Sequence, residues 1–387
     1  MFDLYSGNTP SRLNKEHFKG TVNWISSGEL KEHYIYSSKE QISEEAAKSL
    51  KLLPVGTFVI AIYGLEADGV RGTGSITQEP STISQACMSF IPKGVIENEF
   101  LYSWYKKHGN VIGIRYAQGT KQQNLSYDIL EKFRIAYPNT KEQEKLNKFI
   151  SLLDERIATQ NKIIEDLKKL KSAIIEKVFC SPNQKNPMCR IEGFEQALST
   201  YKMSDFSSRI ATKNKDSKCS LVLTIAAQYG LVNQESFFNK SVASKNLTGY
   251  YLLHKGEFAY NRSYSAGYDW GAVKRLDNYD EGVLSTLYIC FKINETIVDS
   301  DYLTYYFEST KWHRGLSDIA GEGARNHGLL NVSITDYFNT KHRFPVIEEQ
   351  KAIAKMLNTI TEKERKATLL GECYQKQKQY LLRQMFI

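Results

Sequence analysis

The residues that could do chemistry are few, and none is set out as a reaction centre demands. Gly64 and Gly69 have the gap of a phosphate-cradling loop, but Val70 and Arg71 follow where a lysine and a hydroxyl residue must stand. The seven histidines are scattered. They form neither the HExxH pair that puts two imidazoles on one helix face nor the His-x-Glu and Cys-x-x-Cys spacing of a hydrolytic zinc. There is no Asn-Pro-Pro-aromatic tetrapeptide to hold an extruded adenine, and no glycine-rich strand–turn–helix fit for a nucleotide cofactor. Asp154 and Glu155 are adjacent carboxylates on a helical stretch, where they read as a solvated face. The pattern points away from a self-contained enzyme.

Contact chemistry is better represented. Two glycine-rich polar stretches recur, Gly119-Thr120-Lys121-Gln122-Gln123-Asn124 and Gly321-Glu322-Gly323-Ala324-Arg325-Asn326-His327-Gly328. Such loops lay backbone amides and cations against phosphates and present carboxamides to base edges. A loop that merely closes a domain has the same composition, and the recurrence tilts the choice toward contact. The candidate DNA contacts are Ser11, Arg12, Lys15, Lys121, Gln122, Gln123, Lys213, Asn214, Arg262, Tyr264, Arg325, Asn326 and His327. Arg262 and Tyr264 lie in Tyr260–Tyr264, where aromatic and basic groups interleave at an expected strand end. Trp24, Trp104, Trp270 and Trp312 could stack on extruded bases, but core packing is the commoner use of such rings.

Composition bounds the rest. The chain has 387 residues, 41% of them hydrophobic and 12% aromatic, enough for two or three domains with their own cores. Six cysteines form no CxxC pair, which favours free, mostly buried thiols and a reducing cytoplasm over a zinc site or disulfide framework. Met1 opens on polar sequence without a secretory signal, and no apolar run approaches the ~18 residues of a membrane span. The net charge is +8; residues 141–179 carry +2 of it and residues 345–387 carry +3, leaving +3 elsewhere. A polyanion-binding face must therefore be a local patch.

What positions these loops is a duplication. Tyr137-Pro138-Asn139-Thr140-Lys141-Glu142-Gln143 and Phe344-Pro345-Val346-Ile347-Glu348-Glu349-Gln350 share an aromatic-Pro start and a Glu-Gln end at an offset of 207, which holds to Phe179 and Phe386. Asn124-Leu125-Ser126 pairs with Asn331-Val332-Ser333 at the same offset. Further upstream, Leu52–Phe58 matches Leu252–Phe258 at 200 and Phe100-Leu101 matches Tyr302-Leu303 at 202, as loop insertions would cause. The order is variable domain, constant segment, variable domain, constant segment.

Each constant segment reads as one long helix with a heptad seam. The first seam is Leu146, Ile150, Leu153, Ile157, Gln160, Ile164, Leu167, Lys171, Ile174 and Val178. The second is Ile353, Leu357, Ile360, Glu364, Ala367, Gly371, Tyr374, Lys378, Leu381 and Met385, with Glu364 and Gly371 as flaws and a lysine breaking each copy. The aliphatic and aromatic members, with Met385, are candidates for helix–helix spacing and partner docking. Pro138 blocks backward extension, and Thr140 with Gln143 has capping-box spacing. At ~1.5 Å per residue, residues 142–179 make a rod of roughly 57 Å. Packing of each helix on its own domain is the alternative. Two copies related by a pseudo-two-fold axis would pair the helices antiparallel, an inference from symmetry.

The expected fold is α/β (α+β), with two similar globular domains separated by an antiparallel coiled coil. The boundaries are 1–140 for the first domain, 141–180 for the central helix, 181–190 for a linker, 191–344 for the second domain and 345–387 for the last helix. Strands are expected at Phe58–Tyr63, Cys87–Ile91, Leu221–Ile225 and Leu287–Phe291, and helices near 99–107 and 301–313. The second domain has a lead-in through Ile191-Glu192-Gly193-Phe194, whereas the first opens at Met1. The first is thus trimmed at its edge, or completed by residues near the C-terminus.

Gly7-Asn8-Thr9-Pro10-Ser11, Trp24-Ile25-Ser26-Ser27-Gly28-Glu29-Leu30, Tyr63-Gly64, Gln85-Ala86-Cys87 and Gly119-Thr120-Lys121-Gln122 resemble the first target-recognition domain of type I restriction–modification specificity (S) subunits. The Pro-x-x-x-Glu-Gln heptad helix is similar to that family's conserved region, here present twice. The resemblance implies a non-catalytic DNA-binding subunit. Each domain would read half of a bipartite double-stranded target, while the helices set the spacer and dock two adenine methyltransferase subunits. Motor–nuclease subunits would join, and S-adenosylmethionine, ATP and magnesium would belong to those partners. The competing readings are a diverged methyltransferase or nuclease polypeptide and a coiled-coil protein-binding scaffold.

Overall fold

The computed structural model describes residues 1–240, 246–263, 267–319, 325–326 and 329–386, with only the backbone at 325, 326 and 329. The chain folds as two compact units, Met1–Asn161 with Leu369–Ile387, and Lys162–Thr368.

In the first unit, a five-stranded sheet runs Phe2–Ser6, Cys87–Pro92, Phe58–Ala61, Gly74–Thr77, Tyr34–Ile35. All pairs are antiparallel except the last. Phe58–Ala61 is buried on both faces, as expected of a continuous apolar strand at the centre of a covered sheet. Helix Asn98–Tyr116 lies against it through Phe100, Leu101, Trp104, Tyr105 and Ile112. This helix is longer than the aromatic stretch near 99–107 had indicated.

The second unit repeats the strand order with different side chains: Ser207–Arg209, Ile289–Ile293, Phe258–Asn261, Ala272–Arg275. The register repeats too, since Phe58 faces Phe90 and Phe258 faces Phe291. The helical stretch expected over 301–313 is two helices, Ser300–Tyr306 and His313–Ser317. The break between them is stabilised locally. Thr310 donates its amide and hydroxyl to Glu176 (both 2.8 Å), and the Trp312 indole donates to the Phe307 carbonyl at 3.1 Å.

The long helices are Thr140–Val178 and Ile347–Met385, 39 residues each. All ten positions of each seam are buried or half-buried. The remaining apolar residues Phe149, Leu152, Ile163, Leu170, Leu369 and Leu370 are 41–53% exposed, so the heptad spacing and not overall hydropathy marks the packed face. Within the first unit, Asp154 pairs with Lys378, and Arg156 donates to the Tyr374 hydroxyl at 2.7 Å. Within the second, Lys171 pairs with Glu364, while Ile175 and Val178 share a core with Ile353 and Leu357. In each unit, rising numbers on one helix meet falling numbers on the other, so the helices run antiparallel there. Asp154 is accordingly not part of a solvated face, contrary to the sequence reading; Glu155 is exposed.

The expected Thr140–Gln143 capping box does not form. Asn139 caps instead, its side-chain oxygen accepting the Glu142 amide at 3.1 Å. Gln143 is fully buried and engaged elsewhere: its oxygen accepts the Glu97 amide (3.0 Å), and its nitrogen donates to the Val95 and Pro138 carbonyls (3.0 and 2.9 Å). Gln350 makes the same three bonds in the second unit, to the Asp299 amide (2.9 Å) and the Ile297 and Pro345 carbonyls (3.1 and 2.9 Å). The repeated glutamine thus docks each long helix on the start of its own unit's domain helix, satisfying backbone groups that burial would otherwise leave unpaired.

The ends of the long helices complete the cores. Phe386 stacks on Phe100 at 5.2 Å within the first unit, and Phe179 stacks on Tyr302 at 5.0 Å within the second. Among the described residues, no helix is long and apolar enough to cross a membrane. Four of the six free cysteines are buried, and Cys189 and Cys373 are exposed. Trp24, Trp104 and Trp312 are buried and Trp270 is half-buried, in line with core packing.

Candidate nucleic-acid interface

In the first unit, several short motifs converge on one end of the sheet. The Gly7 and Asn8 amides donate to the Cys87 and Ile83 carbonyls at 3.3 and 3.1 Å. Gly7 packs so closely on the Ile83 and Ser84 backbone that any Cβ there would overlap it. The Thr9 hydroxyl bonds to Gln85, and the Trp24 indole donates to the Asn8 carbonyl at 2.9 Å. The turn carrying Gln85-Ala86-Cys87 receives the Ile62 and Tyr63 amides on the Ala86 carbonyl (2.9 and 3.3 Å). From there Tyr63 bridges to Asn124, and Gln118 exchanges two backbone bonds with Asn124 (2.8 and 2.9 Å). Three loops therefore form one corner, with the 119–124 loop at its edge.

The sequence candidates in this unit have different surroundings. Ser11, Lys15, Lys121 and Gln122 are exposed. Gln123 is half-buried and structural as well as polar. Its amide donates to Glu66 at 2.8 Å, and its side-chain oxygen accepts from Arg71 at 2.7 Å. Arg12 is exposed but engaged, with a two-pronged bond to Glu40 (2.9 and 2.7 Å) and its guanidinium 4.5 Å from the Phe18 ring centroid. That bond holds the Glu40 carboxyl below its ordinary range and raises Arg12. Gly119 turns the loop at φ +104°, a conformation that favours glycine.

The second unit builds the same corner from other residues. Turn Ser285–Tyr288 repeats Ser84–Cys87, with an amide-to-carbonyl bond of 3.2 Å against 3.0 Å. Arg262 ties this turn to the segment after the glycine-rich loop, donating to the Leu287 and Val332 carbonyls at 3.2 and 3.0 Å. Arg325–Asn326 pair as a strand with Leu329–Leu330. Tyr264 and His327 lie outside the described residues. Lys213 donates to the Gly249 carbonyl at 2.7 Å and sits 4.0 Å from the Tyr251 ring centroid. Asn214 is 1% exposed, and both ends of its carboxamide bond the Cys219 backbone (2.8 and 3.0 Å), so it shapes its loop from within and cannot reach a base. Sequence reasoning missed the bracing residues Glu40, Glu66 and Arg71, whose partners lie far along the chain.

Residues 1–169 match the type I restriction modification DNA specificity domain. The chain is 29% identical over 183 residues to the specificity subunit of the type I restriction enzyme MjaIX of Methanocaldococcus jannaschii, covering 46% of this chain and 41% of that one. It is 31% identical over 168 residues to the EcoR124I/EcoR124II specificity subunit of Escherichia coli, covering 42% and 40%. The matched region spans about two fifths of the length of these curated relatives. Among solved structures, the fold is similar to an S subunit of a type I restriction-modification system from M. genitalium, with a TM-score of 0.53 at 16% identity, covering 100% of this chain and 94% of that one. It is also similar to a structure bearing on complex assembly and conformational transition of the type I R-M system, with a TM-score of 0.56 at 13% identity, covering 98% and 96%. The duplicated modules, helix seams and loop corner thus have their counterpart in one group of proteins, and the chain belongs to the specificity-subunit family of type I restriction–modification enzymes.

Proposed function

We propose that this chain is the DNA-reading and assembly subunit of a type I restriction–modification complex, each module reading one half of a bipartite site in double-stranded DNA. The observation that carries the reading is that one scaffold is built twice and ends twice in the same corner, with different side chains at the two corners. One scaffold with two unlike loop sets suits an asymmetric two-part target. Residues 1–140 and 191–344 act as recognition domains, 181–190 as the linker, and 141–180 and 345–387 as the helices that set the spacer. Lys121, Gln122, Arg325 and Asn326 are the leading contacts, with Ser11, Lys15, Lys213 and the unengaged faces of Arg12, Gln123 and Arg262 beside them. Tyr264 and His327 remain in the set on sequence grounds, and Asn214 leaves it.

The seam residues serve the helix pair itself, so partner docking falls to the exposed off-seam residues: Phe149, Leu152, Leu369 and Leu370 in the first unit, Ile163 and Leu170 in the second. Two methyltransferase subunits would pack there and motor–nuclease subunits would join them in the cytoplasm. S-adenosylmethionine, ATP and magnesium would be held by those partners. Co-expression with a methyltransferase subunit, followed by genome-wide mapping of methylated adenines, tests the proposal. One bipartite motif with a fixed spacer is expected. Absence of any motif would favour a protein-binding scaffold, and methylation by the purified chain alone would favour an enzyme.

A further inference from the structure

The first unit contains an apolar cavity of about 300 Å³, bounded by Phe58, Phe90, Leu101, Tyr105, Leu130 and Ile135. That is roughly twice the ~150 Å³ void that accepts a benzene ring. The Tyr105 hydroxyl is buried at this site without a hydrogen-bond partner among the described residues.

In the second unit the equivalent residues are Phe258, Phe291, Leu303, Phe307, Tyr337 and His342, by the offsets of the duplication and the paired strand registers. Their space is filled by Met203 and Phe206, both fully buried in that core. Phe206 sits edge-on to His342 and Phe344, at 5.6 and 5.2 Å. The preceding strand Ser199–Lys202 pairs antiparallel with Lys341–Phe344 and buries His342 and Phe344. Residues 134–137, which correspond to 341–344, lie in no strand, and Ile135 and Tyr137 are half-exposed.

The backbone correspondence continues to the cavity mouth. Asn294 donates to the Phe206 carbonyl at 2.8 Å, and Lys93 donates to the Met1 carbonyl at 2.8 Å. Ser207 pairs with Ile293 as Phe2 pairs with Pro92. Met1 thus occupies the backbone place of Phe206, yet it is 65% exposed where Phe206 is buried.

We propose that this cavity and the 134–137 edge form a socket for a strand-and-turn polypeptide segment with two large apolar anchors three residues apart, entering directly ahead of Phe2. The segment Ser199–Phe206 is the template for its chemistry. Strand addition supplies main-chain hydrogen bonds, and the alternate pockets select the side chains. Entry ahead of Phe2 is favoured because Phe206 is joined directly to Ser207, so a separate peptide in this pose would end against Met1.

The test uses the full chain with the sequence of residues 199–206 inserted between Met1 and Phe2. Amide exchange at 134–137 should slow on the order of tenfold, and binding of an apolar fluorescent dye should fall. A graft with serine at both anchor positions should behave as the parent. A soluble graft with unchanged exchange and dye binding overturns the proposal. So does protection of 134–137 by the free peptide but not by the graft, because the occupant would then be a separate partner. Conversely, Met203→Ala with Phe206→Ala should create dye binding and speed exchange at 341–344; no change there would overturn the equivalence of the two sites.

Discussion

Lys171 Nζ lies 3.2 Å from Glu364 Oε2, so two residues that interrupt the aliphatic seams meet each other. Lys378 meets Asp154 in the same way within the first unit. Both members of the Lys171–Glu364 pair are about four-fifths buried, which makes removal of one partner more costly than loss of the pair. Lys171→Leu should lower the stability of the second unit by about 1–3 kcal/mol, because the Glu364 carboxylate loses its cation. Reversal, with Lys171→Glu and Glu364→Lys together, should recover most of that loss. Leucine at both positions should match or exceed the parent. Urea unfolding followed by amide exchange in each unit measures this, and equal midpoints for all four proteins would mean the pair sets nothing.

The glutamine clamp predicts damage confined to one unit. Gln143→Ala leaves the Glu97 amide and two carbonyls without their partner in a buried place, a loss on the order of 2–4 kcal/mol. Gln143→Glu should do no better, since a carboxylate accepts from Glu97 but cannot donate to Val95 and Pro138. Gln350→Ala should affect the second unit alone. Exchange rates that rise in both units after either change would contradict the assignment.

The parts legible in the sequence were those with periodicity or repetition. The seams can be read because every seventh residue must face the same partner, and all twenty predicted positions avoid full exposure. What stayed hidden depends on register between segments far apart in sequence. Nothing local says that Lys171 meets Glu364, or that Gln143 turns toward Glu97 instead of capping its own helix. Asn214 was read as a DNA contact because asparagine in a polar loop has two common uses, and only burial separates them. The Met203–Phe206 plug was equally invisible, since its site is assembled from strands and helices across more than a hundred residues.

His342 makes the second unit sensitive to acid. Its ring is buried, and burial pushes its pKa down from 6.5 to about 3. The Thr340 hydroxyl donates to the Tyr337 carbonyl at 2.6 Å, so it accepts from His342 Nε2 at 2.8 Å; Nδ1 then accepts from the Tyr306 hydroxyl at 3.0 Å. That network fits a neutral ring. Above pH ~6.5 the ring is neutral folded and unfolded, and it adds no pH dependence. Between about 6.5 and 3 only the unfolded chain takes up the proton, so stability falls as pH falls, by up to ~1.4 kcal/mol per pH unit. His342→Gln should flatten that part of the profile relative to the parent. Parallel profiles from pH 4 to 6.5 would show that the ring does not resist protonation.

The polar loops make the sharpest statement about DNA. Lys121 is exposed on a loop held in shape by Gly119 and by the Gln123 contacts to Glu66 and Arg71, so its removal should leave the corner intact. A phosphate contact contributes through counterion release, which makes its loss visible in salt dependence before sequence preference. Lys121→Ala should weaken binding at every sequence and reduce the slope of log affinity against log salt by about one. Arg325→Ala should do the same at the other half-site. Gln122→Ala should instead relax base preference at one position while the slope stays put. Asn214→Ala should act only through stability, because its carboxamide is consumed by Cys219. Titrations at several salt concentrations separate these outcomes, and unchanged slopes for both Lys121→Ala and Arg325→Ala would remove the loops from the interface.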